Sequence, residues 1–351
     1  MRWMKIPQRY AMIAMLFGSS SICYIERVGF SIAYTATAAE SHSDEQTKGI
    51  VLSAFFYGYV LSQVPGGWAA QQLGARPVLL LSFLLWSLVC ALTPHTPPVS
   101  VVLLASARFL IGIAQGLIFP CIHTLLAQWV PPHQRSRAVS LATSGMYFGA
   151  ALGMLSVPPI LRISGSGAVY HFLAFLGMCW ALIWLCFSTD PPRSELAKAT
   201  ASGFGLTHTI LPTSSSHMSI PSNKVAPSDA TTAMYIPWRL LITSTAVWAI
   251  VINNFTFHYA LYVLMNWLPT YFNQGLGVSL ESLGVSKTIP YLNMFVVSNI
   301  GGILADHLIV GKIMPVTSVR KVLNTGGFVS ASLTLFMMIG VRSSTAAIML
   351  S

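Results

Sequence analysis

The chain has 351 residues, of which 54% are hydrophobic and only 8% are charged, and its formal net charge is +10. Soluble globular domains carry about 25% charged residues, so this composition excludes a soluble protein of this size. The basic residues are scattered singly rather than clustered, which argues against a nucleic-acid-binding protein. We therefore predict a polytopic membrane protein.

Nine mostly apolar stretches follow one another along the chain, each long enough to cross a hydrocarbon layer of about 30 Å. The predicted spans cover residues 10–36, 49–70, 77–95, 100–129, 138–162, 167–188, 238–272, 283–307 and 320–341. Basic residues before the first span and in alternate loops place the N-terminus on the cytoplasmic side. We expect an all-α membrane protein whose consecutive spans are antiparallel.

A long polar segment separates the sixth predicted span from the seventh. It is rich in Ser, Thr, Pro and Ala and has no apolar periodicity, which is typical of a flexible linker. Six spans, a long cytoplasmic loop and a second set of spans form the layout of a two-half transporter. We predict an N-terminal six-helix half at 1–188, a flexible linker at 189–237 and an incomplete C-terminal half at 238–351, truncated before three further helices.

A weak internal repeat supports the two halves. The second span contains Gly66-Gly67 and the eighth contains Gly301-Gly302, each pair near the cytoplasmic end of its helix. Small residues at such positions allow helices to pack closely in a membrane.

Three charged residues, Glu26, Arg27 and Arg108, lie well inside predicted spans, where each charge costs about 2.5–3.5 kcal/mol on insertion scales. They have two interpretations. In the first, Glu26 and Arg27 neutralise each other, or Arg108 reaches an interface. In the second, the two arginines bind an oxyanion such as phosphate or a carboxylate. In the second interpretation the anion competes for Arg27 and frees Glu26 to take a proton, which couples the two movements.

Other polar residues in the spans are weaker candidates. His123 lies near the cytoplasmic end of span four and is a second candidate for proton coupling, unless it is simply hydrogen-bonded. Tyr262 and Asn266, one helical turn apart in span seven, either face a substrate cavity or join helices. The sequence has no phosphate-cradling Gly-rich loop with a lysine and no metal-like spacing of Cys or His. We therefore expect neither an enzyme nor a cofactor.

Several of these segments resemble one known family. Residues 26–33, Glu-Arg-Val-Gly-Phe-Ser-Ile-Ala, are similar to the acidic-Arg-x-x-x-Ser-x-Ala signature in helix one of the anion:cation symporters of the major facilitator superfamily. Residues 55–67 resemble the family's helix two, residues 108–132 its helix four, and residues 135–138 the loop that follows. Residues 267–272 and 299–306 look like the plant and algal phosphate-transporter branch.

The resemblance implies a twelve-helix fold with alternating access and an anion site between the halves. Arg27 and Arg108 match anion-coordinating positions, and Glu26 matches a proton-handling acid. Gln115 stands where many members carry a titratable acid, so sodium coupling or uniport stays open beside proton coupling. Six residues match a motif that controls the conformational change, namely Gly67, Arg76, Arg135, Arg137, Gly302 and Asp306.

These observations lead to a functional hypothesis. We expect a transporter of anions coupled to H⁺ or Na⁺, with inorganic phosphate as the first substrate and an organic anion (ascorbate, glutamate or a sugar acid) as the second. A non-transporting membrane sensor or scaffold fragment is the alternative from another class. The expected partners are the anion, the cation and the lipid bilayer, for a monomer that binds no nucleic acid. A plastid membrane is the favoured compartment, with Golgi and plasma membranes as alternatives.

Overall fold

The computed structural model describes residues 8–40, 44–93, 100–131, 134–190, 238–270 and 288–339, and this part of the chain is helical throughout, without a strand. Its helices are α1 (Gln8–Glu40), α2 (Glu45–Gln72), α3 (Ala75–Leu92), α4 (Val101–Gly116), α5 (Ile118–Trp129), α6 (Arg135–Phe187), α7 (Trp238–Thr243), α8 (Thr245–Thr270), α9 (Thr288–Val310) and α10 (Val316–Ile339).

Six helical stretches among the described residues are long and apolar enough to cross a membrane: Gln8–Ala38, Gln46–Gln72, Ala75–Leu92, Val101–Trp129, Arg135–Phe187 and Thr288–Val310. The longest of them is α6, with 53 residues. At 1.5 Å per residue it measures about 80 Å, which is enough for two crossings of a layer about 30 Å thick. The predicted all-α, multi-spanning fold class is confirmed.

The predicted boundary between the fifth and sixth spans coincides with a kink in α6. Gly165, whose φ of 77° and ψ of 178° are not helical, separates two helical segments there. Glycine adopts a positive φ readily because it has no Cβ. The fourth predicted span corresponds to α4 and α5, which follow each other through one tight turn at Leu117, whose backbone stays in the right-handed helical region (φ −75°, ψ −22°) and whose N–H bonds to the carbonyl of Ala114 at 3.4 Å.

Residues 202–280 form a compact unit of their own, in which the structure describes α7 and α8. The two helices meet at Ser244, and the indole N–H of Trp248 donates to the carbonyl of Ile242 at 2.7 Å. Together α7 and α8 cover the predicted seventh span, with a break near its start.

The other unit comprises residues 1–201 and 281–351. Its core is built around α1, which packs along α6. The Trp180 indole N–H donates to Ser19 Oγ at 3.0 Å, and the Trp184 indole N–H donates to the carbonyl of Arg76 at 3.1 Å. The middle of α1 is therefore enclosed, and Glu26 on this helix is fully buried.

The prediction of two halves joined by a flexible linker stays a prediction, because residues 191–237 lie outside the described residues. The prediction that three helices are missing from the C-terminal half likewise stays a prediction.

Candidate functional site

Three glycines allow α2 and α4 to pack with their backbones in close contact. A Cβ atom added to Gly58 would fall within 3.0 Å of the backbone of α4, and one added to Gly112 or Gly116 would fall within 3.0 Å of the backbone of α2. Only glycine permits two helices to approach this closely. The close approach places Phe55 of α2 beside Arg108 of α4.

An ion pair joins α4 to α1. Arg108 Nη1 donates to Glu26 Oε1 at 2.7 Å, and the two side chains are 4% and 0% exposed. A buried pair of this kind is costly to form, and removal of one partner leaves an uncompensated charge. Glu26 and Arg108 therefore depend on each other for their burial.

Gln115 extends this pair into a chain of hydrogen bonds. Its Nε2 donates to Glu26 Oε2 at 2.7 Å, while its Oε1 accepts from Arg27 Nε at 3.1 Å and from Cys23 Sγ at 3.1 Å. Arg108 and Gln115 are two helical turns apart and share one face of the helix. Both oxygens of Glu26 thus accept a hydrogen bond, and Gln115 links this carboxylate to Arg27.

Aromatic rings surround the Arg27 guanidinium. Its central carbon lies 4.7 Å from the ring centroid of Tyr24, 4.8 Å from that of Phe55 and 4.5 Å from that of Tyr59. Each ring presents its negative face to the cation, which stabilises a guanidinium in an apolar setting. Within the part of the chain that the structure describes, Arg27 is held by rings and by one amide and has no carboxylate of its own.

The same ring of Phe55 also contacts the second arginine. The central carbon of Arg108 lies 4.8 Å from the Phe55 centroid and 3.8 Å from the Phe30 centroid. Phe55 is therefore shared by the two guanidinium groups and fixes their relative position.

Each arginine keeps one buried nitrogen without a hydrogen-bond partner among the described residues: Nη2 of Arg27 and Nε of Arg108. An unsatisfied buried donor costs free energy, more so on a charged group. Guanidinium groups match anions that present several oxygen acceptors well, and these two nitrogens are donors of that kind.

The structure brings together the three charged residues that the sequence singled out. It pairs Glu26 with Arg108, whereas the expected neighbour Arg27 reaches Glu26 only through Gln115. Residues adjacent in sequence do not face each other on a helix, so Glu26 and Arg27 point in different directions from α1. The interpretation in which Arg27 neutralises Glu26 directly is wrong.

The other predicted site residues are not placed in this cluster. His123 has an exposed side chain on α5, beyond the tight turn at Leu117, and its role in proton coupling stays a prediction. Tyr262 and Asn266 belong to α8, but their side chains lie outside the described residues, so their proposed contact with substrate is equally untested.

Sequence reasoning did not assign a site role to Cys23, Tyr24, Phe30, Phe55 or Tyr59. A signal was available for two of them, because Phe55 and Tyr59 are four residues apart in an aromatic run and therefore share a helix face. Cys23 gave no signal, since a lone cysteine in an apolar span reads as a small hydrophobic residue.

A second polar contact joins α6 to α9. Asp306 accepts a hydrogen bond on Oδ2 from the backbone N–H of Arg137 at 2.9 Å. Arg137 is in the first turn of α6, where backbone N–H groups lack partners within the helix. Asp306 therefore caps α6 from a neighbouring helix.

Further along the same contact, small residues meet. Asn299 Nδ2 donates to Ser144 Oγ at 2.8 Å, and the Ser140 hydroxyl donates to the carbonyl of Ser298. A Cβ atom added to Gly302 would fall within 3.0 Å of the Ser140 side chain. The contact between α6 and α9 thus depends on a glycine and on neutral side chains.

The remaining residues of the predicted conformational motif lie elsewhere. Arg76 donates from Nε to Ser188 Oγ at 2.7 Å and from Nη1 to Asp190 Oδ2 at 3.2 Å. Arg135 Nη2 lies 3.4 Å from the carbonyl of Ala127. Gly67 is loosely packed, because an added Cβ would meet its nearest neighbour at 3.8 Å. The structure does not join the six residues in one cluster, and their common role stays a prediction.

Comparison with known plant proteins gives long matches. The chain is 53% identical to the "Probable anion transporter 6" of Oryza sativa subsp. japonica over 99% of this chain and 77% of the relative. It is also 53% identical to the "Probable anion transporter 5" of Arabidopsis thaliana, over 100% of this chain and 78% of the relative.

Two more distant Arabidopsis thaliana proteins match nearly the whole chain. The "Ascorbate transporter, chloroplastic" is 31% identical over 99% of this chain and 61% of the relative. The "Sodium-dependent phosphate transport protein 1, chloroplastic" is 30% identical over 99% of this chain and 64% of the relative.

Among solved structures, the proton:xylose symporter XylE bound to 6-bromo-6-deoxy-D-glucose superposes with a TM-score of 0.66 at 16% identity, over 97% of this chain and 78% of that one. At this identity the similarity concerns the fold alone. The sequence profile described as "Major Facilitator Superfamily" matches residues 16–351. The buried arginine site thus lies in a helical membrane protein that belongs to the major facilitator superfamily, a family of transporters and not of enzymes.

Proposed function

We propose that this transporter carries anions by alternating access, driven by a gradient of H⁺ or Na⁺, and that inorganic phosphate is its first substrate. The observation that carries the proposal is the pair of arginines in the apolar interior, each with a buried nitrogen that lacks a partner among the described residues. Two such nitrogens around one shared ring are suited to bind an oxyanion.

The names of the relatives support the substrate class. The two rice and Arabidopsis relatives at 53% identity are named as probable anion transporters, and one at 30% as a sodium-dependent phosphate transport protein. An organic anion remains the second candidate because another relative, at 31% identity, is named as an ascorbate transporter. Carboxylates and phosphates present similar oxygen pairs to a guanidinium, so either class suits the arginines.

Alternating access requires contacts that form and break during the cycle. The hydrogen bonds between α6 and α9 involve Arg137, Ser140, Ser144, Asn299 and Asp306, and they contain no pair of opposite side-chain charges. Such contacts are individually modest in free energy. We propose that they close one side of the transporter, together with the other motif residues Gly67, Arg76, Arg135 and Gly302.

The C-terminal part of the site and the coupling cation belong to the same proposal. Tyr262 and Asn266 of α8 are further candidates for contact with the anion, as neutral hydrogen-bonding side chains. Glu26 and His123 are the candidate proton carriers, and Glu26 takes up that role only if Arg108 and Gln115 release it. Two relatives are named as chloroplastic and the two more similar ones are not, and a plastid membrane stays our favoured compartment.

Uptake of labelled phosphate into proteoliposomes tests the proposal, with an imposed proton or sodium gradient or neither. Arg27→Ala and Arg108→Ala should each lower gradient-driven uptake by at least tenfold, because each removes a proposed anion contact. Arg162→Ala is the matched control, since Arg162 is exposed and is not one of the proposed anion contacts. Uptake that is equal in all four proteins would contradict the proposed site. Ascorbate uptake without phosphate uptake would favour the second substrate.

A further inference from the structure

We propose that the site binds its anion as a species with one negative charge, so that the loaded site is neutral, and that a proton coupled to phosphate movement travels on the phosphate itself. This inference rests on the proposed anion transport. It names the charge state of the substrate and the carrier of the proton, and it concerns the cluster formed by Glu26, Arg27, Arg108 and Gln115.

Three ionised side chains set the charge of the cluster. Glu26, Arg27 and Arg108 are the charged residues that lie well inside the predicted spans of the whole sequence. Two guanidinium groups and one carboxylate leave a single positive charge. Among the described residues, the other ionisable side chains near the cluster are thiols and phenols, which carry no charge when protonated: Cys23, Tyr24, Tyr34, Tyr59, Cys90 and Tyr170.

The hydrogen bonds of Glu26 determine whether this carboxylate can carry the coupled proton. Both oxygens of Glu26 already accept a hydrogen bond, one from Arg108 and one from Gln115. A proton on either oxygen would displace one of these donors and leave it buried without a partner. Gln115 is also held at its other end, because its Oε1 accepts from Arg27. Glu26 is therefore fixed as the counter-ion of Arg108.

The apolar surroundings of the cluster favour a loaded site without net charge. Uncompensated charge is unfavourable in a buried membrane site. An anion with one negative charge balances the charge that Arg27 brings, whereas a dianion leaves an excess negative charge beside Glu26. For phosphate this selects the dihydrogen form, which carries one more proton than the hydrogen phosphate dianion. A proton gradient would then act through the substrate while Glu26 stays paired.

Anions of fixed charge test this selection at one constant pH. Methanesulfonate carries one negative charge and sulfate carries two, and both present tetrahedral sulfur–oxygen groups. In competition with labelled phosphate, methanesulfonate should inhibit uptake at a concentration at least about tenfold lower than sulfate, as expected for one extra charge within several ångströms. Stabilisation of the detergent-solubilised protein against heat by each anion provides a second readout that does not require transport.

Two isosteric variants sharpen the test. Glu26→Gln removes one negative charge without a change of shape, so the preference for methanesulfonate over sulfate should fall by about tenfold or reverse. The double variant Glu26→Gln with Arg108→Gln returns the cluster to a single positive charge and should restore the wild-type order. If the single variant does not fold, the double variant still tests the charge count.

The outcomes separate this inference from the proposed function. If sulfate inhibits phosphate uptake as strongly as methanesulfonate does, the inference is wrong, while anion transport still holds. An unchanged preference in folded Glu26→Gln, or a double variant that prefers sulfate, would also overturn it. A folded wild-type protein that neither transports nor is stabilised by any of these anions would overturn the proposed function itself.

Discussion

The cluster between α1 and α4 and the contact between α6 and α9 are both polar, but they are built from different interactions. The first joins Arg108 to Glu26 through a buried ion pair at 2.7 Å. The second joins Asp306 to a backbone N–H and Asn299 to a serine hydroxyl. One contact pairs two buried opposite charges, whereas the other pairs the Asp306 carboxylate with a backbone N–H and otherwise uses neutral side chains and backbone groups.

The difference fits the movements that each contact has to allow. Separation of a buried ion pair leaves two charges without partners in an apolar medium, which is strongly unfavourable. Separation of a hydrogen bond to a neutral partner costs less, and water can replace the lost partner where the contact is exposed, as it is at Asp306. We infer that α1 and α4 move together through the transport cycle, while the contact between α6 and α9 opens and closes.

The largest expected effect comes from removal of one member of the ion pair. Arg108→Ala leaves Glu26 buried without its cation, and the expected loss of stability is about 3–5 kcal/mol. Glu26→Gln combined with Arg108→Gln should lose much less, because no unpaired charge remains. Thermal unfolding of the purified protein in detergent measures both. Equal losses in the single and double variants would show that the pair does not act as a unit.

A smaller effect is expected at the glycines of α9. Gly302→Ala places a methyl group against Ser140 of α6, and overpacking of this kind costs about 1–3 kcal/mol. Gly301→Ala is the control in the adjacent position, since no atom lies within 4 Å of its added Cβ. Reactivity of a cysteine introduced at Ser140 with a water-soluble thiol reagent should rise in Gly302→Ala only. The same rise in both variants would mean that the contact does not depend on Gly302.

The smallest effect is expected where Asp306 caps α6. Asp306→Ala removes the acceptor for the Arg137 N–H and should cost about 1 kcal/mol, the usual loss for a helix-capping side chain. Asp44→Ala is the control, because Asp44 precedes α2 without a side-chain capping bond. Hydrogen exchange at the Arg137 amide should be faster in Asp306→Ala. Exchange that stays unchanged would exclude a capping role.

The sequence predicted which charged residues would matter but not how they pair. Charges inside apolar spans are conspicuous, so Glu26, Arg27 and Arg108 could be found without a structure. The partner of Glu26 depends on the helix that lies beside α1, and this is a property of tertiary packing. The same holds for Phe55, whose place between two arginines follows from the close approach of α2 and α4 at Gly58 and Gly112.

The helical spans were predicted well where apolar runs are bounded by polar residues. Small and polar residues near Gly165 indicated a boundary between two spans, and the structure has a kink there, at a glycine with a positive φ. The apolar runs gave no sign of the tight turn at Leu117, which lies within an apolar run. Hydropathy reports burial in the membrane and is insensitive to the backbone conformation of individual residues.

Three phenylalanines mark the place where α1, α6 and α9 meet. The ring centroids of Phe17 and Phe148 are 5.6 Å apart, those of Phe148 and Phe295 are 5.6 Å apart, and those of Phe17 and Phe295 are 6.0 Å apart. Aromatic rings at this distance shift each other's magnetic resonance signals strongly. Fluorine-labelled phenylalanine at position 295 would therefore give one resonance when α9 lies against α6 and another when it has moved away. The cluster therefore offers a fluorine resonance that reports the position of α9 without an added dye.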